Sequence, residues 1–237
     1  SEYFVKVQFL LSRDMPWAKK GYVQMEEQLP VRAALKQAPA VASVAVSTQP
    51  IVVEEDGAAF KVSGKDFTAK FDKATGSLSA LTYGSQTIIE EGNGPKLDAF
   101  RAPTDNDAGA GYHGDWFRYG LYNLQHKALS AKAVRQADGR LQISFTVESQ
   151  GAEGCSQVYG DRDRTPEKAY RFDQGRHALG EDDLKFTTNQ VYTVYPDGSI
   201  ELQSAISSNR ANVLLPRLGY AMKLPSAFSK YYYYGRG

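Results

Sequence analysis

Asp105-Asn106-Asp107 places two carboxylates one residue apart with an amide between them. Paired carboxylates can act as the acid and nucleophile of a glycosidase, and carboxylates grouped with carbonyls can bind a hard cation such as Ca²⁺ or Mg²⁺. A retaining pair, however, stands roughly 5 to 5.5 Å apart with both groups facing one bond, which carboxylates separated by one residue are poorly suited to do. The plainer role is structural: Asp and Asn accept bonds from nearby backbone amides and tolerate turn conformations. Ala102-Pro103 stiffens the start of the segment, because proline fixes its own φ and pushes the preceding residue towards extended geometry. Gly109, Gly111 and Gly114 leave its tail flexible. Arg101 is expected to hold the Asp105 or Asp107 carboxylate in a bidentate contact, and Arg217, beside a proline, to brace a second site.

Aromatic side chains are the usual platform for the apolar face of a sugar. Tyr112 and Trp116 are the candidates to face one, although Trp116 and Trp17 fit burial in a sandwich or an interface better. Tyr231-Tyr232-Tyr233-Tyr234 would alternate across a strand, two in and two out. His113, inside the glycine-rich stretch, reads as a solvated loop histidine. Cys155 is the single cysteine, so no intrachain disulfide exists. It reads as a structural residue rather than a thiol nucleophile, since nothing nearby in sequence would lower its pKa.

The elements that must position these side chains are strands. The chain has 237 residues, room for one large β domain or two smaller ones. Aromatics are 12%, fifteen of them Tyr, which favours strands over helices. A net charge of +1 gives no basic or acidic field for nucleic acid or a membrane surface. No apolar run reaches the roughly 18 to 20 residues of a membrane span, and no signal peptide opens the chain. Residues 3–11 and 22–31 read as two strands around a Pro/Gly-bracketed turn, and 36–50 as a small-residue linker. Alternating runs then recur at 67–71, 78–83, 87–89, 141–147, 187–195, 199–206 and 218–224. Ala74-Thr75-Gly76, Gly92-Asn93-Gly94-Pro95, Asp138-Gly139 and Pro196-Asp197-Gly198 mark turns. Together these predict an all-β antiparallel sandwich. One short helix is expected over 116–124, weakened by Gly120, and the charged stretch 151–181 around Asp161-Arg162-Asp163-Arg164 reads as a solvated loop or hairpin tip.

Several of these strings also carry a resemblance. Arg101-Ala102-Pro103-Thr104-Asp105-Asn106-Asp107, preceded by Gly94-Pro95-Lys96-Leu97, resembles the opening of the C-terminal small-chain domain of bacterial β-galactosidases of glycoside hydrolase family 2. Phe67-Thr68-Ala69-Lys70-Phe71-Asp72-Lys73-Ala74-Thr75-Gly76-Ser77-Leu78 resembles that domain's first hairpin. Leu215-Pro216-Arg217-Leu218-Gly219 and Tyr233-Tyr234-Gly235-Arg236-Gly237 resemble two later strand signatures. The resemblance runs from residue 60 to the end and is weaker over the first 50.

It implies a galactose-mutarotase-like supersandwich over 51–237, incomplete at its C-terminus, after the linker 36–50 and the end of an immunoglobulin-like sandwich at 1–35. It implies retaining hydrolysis of terminal β-galactosides by two glutamates on an upstream TIM barrel, for which this chain has no βα alternation. No catalytic residue and no metal ligand is therefore assigned here. Arg101, Asp105, Asn106, Asp107, Gly109 and Gly111 become a segment beside the active site, and in the family the part starting at the position of Gly109 borders the mouth and changes conformation with ligand. The family's sugar-stacking aromatic comes from a later segment that this chain lacks. The implied partners are the remainder of the enzyme, the galactoside and further copies in a homo-oligomer. No cofactor is implied for this chain, with Mg²⁺ or Na⁺ the candidates in the parent enzyme. The compartment stays open between bacterial cytoplasm and periplasm. The chain starts inside a domain and stops before the family's next proline, so it is expected to be a fragment with an exposed edge strand at 230–234. The rival readings are a stand-alone carbohydrate-binding module and a purely structural or interaction domain.

Overall fold

Period-two alternation decides which faces become buried. The computed structural model describes residues 3–30, 50–156 and 175–230. The chain divides into two units, Ser1–Ala45 and Val46–Gly237, each described by itself.

In the first unit β1 (Phe4–Leu10) and β2 (Val23–Pro30) form an antiparallel hairpin. Cross-strand pairing puts Val5, Val7, Phe9, Met25 and Leu29 on one face with Glu27. Lys6, Gln8, Glu26 and Gln28 share the other, where the Lys6 ammonium meets Glu26 at 2.7 Å. Trp17, in the connecting turn, is 58% exposed instead of buried, and packs edge-on against Tyr22 at 5.6 Å. A two-stranded ribbon has no second layer to cover such a ring.

In the second unit β3 (Val52–Glu55), β4 (Ala59–Ser63), β5 (Phe67–Asp72), β6 (Ser77–Tyr83) and β7 (Gln86–Ile89) form a five-stranded meander in chain order. β8 (Lys96–Asp98) leads into two short helices, α1 (Asp105–Ala110) and α2 (His113–Arg118), and a 3-10 turn at Leu121–Asn123. β9 (Leu124–Arg135) and β10 (Leu141–Gly151) follow, then the two-residue strands β11 (Gly154–Cys155) and β12 (Arg176–His177), which pair with each other. β13 (Lys185–Val194) and β14 (Ile200–Ser208) complete a four-stranded antiparallel sheet in the order β14-β13-β10-β9. β15 (Gly219–Ala221) returns to pair with β8.

β10 is buried at every odd position, Leu141, Ile143, Phe145 and Val147 among them, and half exposed at every even one. These side chains meet Phe60, Val62, Phe71 and Leu78 of the meander in one core, with the Tyr192 ring 5.2 Å from Phe71 and 6.2 Å from Phe145. The fold is thus an all-β antiparallel sandwich. A second core holds Leu97, Ala99, Trp116, Tyr119, Leu121, Leu184 and Phe186, and packs α2 and the 3-10 turn against the end of the four-stranded sheet.

Three of the four expected turns close hairpins, while Gly92-Asn93-Gly94-Pro95 leads from β7 to β8, which do not pair with each other. Asp72 accepts from the Thr75 amide at 3.0 Å, and Asp197 from the Ser199 amide at 2.8 Å beside Gly198 at φ +90°. The expected helix over 116–124 is displaced: α2 starts at His113 and ends at Arg118, because Gly120 sits at φ +61°, where a helix cannot continue. A Cβ there would also lie 2.1 Å from the Glu153 carbonyl oxygen. The polar segment at 105–110 is a helical turn rather than an open loop. The twelve-residue β9 had no counterpart in the sequence reading; its Ala- and Lys-rich sequence has low strand propensity, and its pairing with β10 supplies the structure. Of the charged stretch 151–181, β11 and β12 form the base, and Asp161-Arg162-Asp163-Arg164 lies outside the described residues. Most of the linker and the tyrosine run at 231–234 lie outside them too.

Candidate functional site

The site grows from Thr104, which precedes α1. Asp107, three residues on, accepts from the Thr104 amide at 2.7 Å and from its hydroxyl at 2.8 Å, while the Asp107 amide points back at Thr104 Oγ1 at 3.5 Å. This is a capping box, in which the side chains at the two ends of a helical first turn satisfy each other's backbone donors. It explains how Asp-Asn-Asp-Ala-Gly-Ala, a poor helix former, makes a helical turn at all.

Arg101 completes the clamp. Its Nη1 donates to Asp107 Oδ2 at 2.6 Å and its Nη2 to Oδ1 at 3.0 Å, so the bidentate partner is Asp107 and not Asp105. These bonds, Arg101 first, hold the Asp107 carboxyl well below the usual carboxylate range. The same guanidinium lies 5.2 Å from the Trp116 ring centroid and donates to the Ala102 carbonyl. The His113 ring Nδ1 sits 3.2 Å from the Asp107 carbonyl. Asp107 therefore ties together both helices and the strand exit, and both of its oxygens are engaged.

Trp116 is corrected as a sugar-facing candidate. It is 1% exposed, and its indole N–H donates to the Leu214 carbonyl at 2.7 Å. His113 is buried as well rather than solvated, since α2 turns it towards Phe117. Tyr112 is 51% exposed, and Asp105, Asn106, Gly109 and Gly111 are exposed beside it. A Cβ at Gly109 or Gly111 would meet nothing within 4 Å, and Gly111 holds φ +77°. The segment is clamped on its inner side and open on its outer one.

Neighbouring contacts brace the approach. Arg217 pairs with Asp98, whose Oδ1 also accepts from the Phe100 amide at 3.0 Å. The Phe100 ring packs edge-on against Phe117 and Tyr122, and Cys155 is buried against Phe117. Among the described residues no three His, Cys, Asp or Glu side chains come together to hold a metal ion. The Asp105–Asp107 pair does not fit a divalent cation, because Arg101 and Thr104 occupy the Asp107 oxygens. No helix among the described residues is long and apolar enough to cross a membrane.

Thr104 was missed from sequence, although Thr-x-x-Asp ahead of a helical turn is a capping signal. Asp98 and the Leu214 carbonyl had no local signal, since their partners lie about a hundred residues away in sequence.

The family described as "Beta galactosidase small chain" matches residues 63–237. Three curated proteins named beta-galactosidase align with the whole chain: one of Halalkalibacterium halodurans at 28% identity, one of Psychromonas ingrahamii at 26%, and one of Priestia megaterium at 24%. The chain covers 20%, 21% and 19% of their respective lengths.

Proposed function

From the premise that the chain belongs to the β-galactosidase small-chain family, we propose that it serves as a non-catalytic part of a larger β-galactosidase. In that enzyme residues 101–112 form one wall of the galactoside site, and the sandwich supports assembly with the remainder of the protein. The two carboxylates of retaining hydrolysis then come from outside this chain. One observation carries the reading: the Arg101–Asp107–Thr104 clamp fixes a polar segment from within while Asn106, Gly109, Gly111 and Tyr112 stay exposed. A fixed base with a free outer edge is what a site wall that adjusts to ligand requires. Asp107, fully engaged by donors, acts as a positioning residue.

The 237-residue chain is expected to show no turnover of a chromogenic β-galactoside. In the full-length protein Asp107→Asn should lower kcat/KM by about tenfold or more, the scale on which displaced positioning groups act. The change should appear in KM as well as kcat, alongside the fall in thermal midpoint that loss of the Arg101 ion pair brings. Turnover by the chain alone that vanishes in the Asp105→Ala, Asp107→Ala double variant would overturn the assignment. Saturable galactose binding by the chain alone would favour the stand-alone module.

A further inference from the structure

Past the C-terminal end of α2 the surface opens into a cleft of about 320 Å³, lined by Asp115, Arg118, Tyr119, Arg210, Asn212 and Val213. Two arginines converge there on one buried ring: the Arg118 and Arg210 guanidinium carbons lie 5.4 and 5.6 Å from the Tyr119 centroid. Contact with an aromatic ring orients a guanidinium while leaving its N–H fork available. Arg210 is held further by the Asp182 carbonyl, which accepts from its Nε at 2.9 Å and from Nη2. Among the described residues neither arginine forms an ion pair. With Asp115 as the one carboxylate in the lining, the cleft keeps a surplus of one positive charge.

We propose that this cleft binds a hydroxylated carboxylate, a uronate or aldonate. A planar carboxylate accepts from the N–H fork of Arg118 and from the Nη1 side of Arg210, whose Nε and Nη2 are held by the Asp182 carbonyl. Asp115 accepts from sugar hydroxyls, and the Asn212 amide both donates and accepts. A neutral sugar leaves the arginines without an anion, and Asp115 repels a phosphate dianion more than a singly charged carboxylate. The role of residues 101–112 does not enter this argument, so either can fail without the other.

The test is titration of the 237-residue chain with galacturonate, followed by calorimetry and by amide NMR, with galactose and inorganic phosphate in parallel. Saturable galacturonate binding in the millimolar range is expected, with shifts at Arg118, Tyr119 and Asn212. Arg118→Gln and Arg210→Gln should each weaken it about tenfold, the loss of one charge-assisted contact. Arg118→Lys, which keeps the charge but not the fork, should fall between and serves if a glutamine variant does not fold. The proposal is overturned by absence of saturation, by galactose or phosphate binding as tightly as galacturonate, or by folded arginine variants that bind unchanged.

Discussion

Asp107 is the residue on which the candidate site turns, and its protonation sets the range over which the clamp holds. Its folded carboxyl lies below the ordinary value of 3.8, chiefly through Arg101. The clamp is therefore complete above that value and is released only as pH falls through the lower folded one. Thr104→Ala should cost about 1 kcal/mol of stability and speed amide exchange in α1; unchanged exchange would show that the cap is idle. His126 behaves in the opposite range. Burial first, and Lys96 second, lower it from 6.5 to about 4, with its Nδ1 2.9 Å from Ser149 Oγ. The unfolded chain takes up that proton more readily, so stability is full above pH 6.5 and declines as pH drops towards 4. Thermal midpoints measured across that interval should slope in the native chain and flatten in His126→Gln; equal slopes would remove His126 as the cause. The Arg101 contact was legible because an arginine two residues ahead of a proline preceded two acids. The choice of Asp107 was not, since it follows from the capping register.

Turn chemistry made the elements readable where it was strong. Asp138-Gly139 and Pro196-Asp197-Gly198 close the hairpins they mark, and Leu141 to Val147 announced a half-buried strand by alternation alone. β9 and β15 show the limit. Residues 124–135 make an edge strand whose side chains are mostly exposed, so burial imposed little pattern on them. β15 exists as three residues because β8 offers only three partners. The one expected helix was displaced because the stop at Gly120 outweighs the apolar spacing of residues 116–124, and α1 was read as a loop because the cap at Thr104 went unread. Gly94 shows how closely one turn packs on its strand: a Cβ there would stand 1.6 Å from the Leu78 carbonyl oxygen. Gly94→Ala should destabilise the second unit by more than about 2 kcal/mol in denaturant unfolding, since backbone must move on one side or the other. A variant as stable as the native chain would show that this turn is free to shift.

Across the whole molecule, sheets built from contiguous hairpins coexist with a few long connections. The meander β3 to β7 pairs only neighbours in sequence, whereas β8 waits for β15 and Asp98 for Arg217. These distant pairings left no local trace in the sequence, because neither partner constrains its own neighbours. Trp116 belongs to this class: its indole bond to the Leu214 carbonyl spans 98 residues. Closing so long a loop is entropically costly until the intervening strands have formed. Refolding of a Trp17→Phe chain, in which Trp116 is the only tryptophan, should show indole fluorescence lagging behind the far-ultraviolet strand signal. Coincident traces would refute that order. The Leu214 contact thus acts as a clock. On the ribosome α1 and α2 emerge before residue 214, so the segment proposed to meet the sugar is made ahead of the carbonyl that holds Trp116 and is set in place only after it.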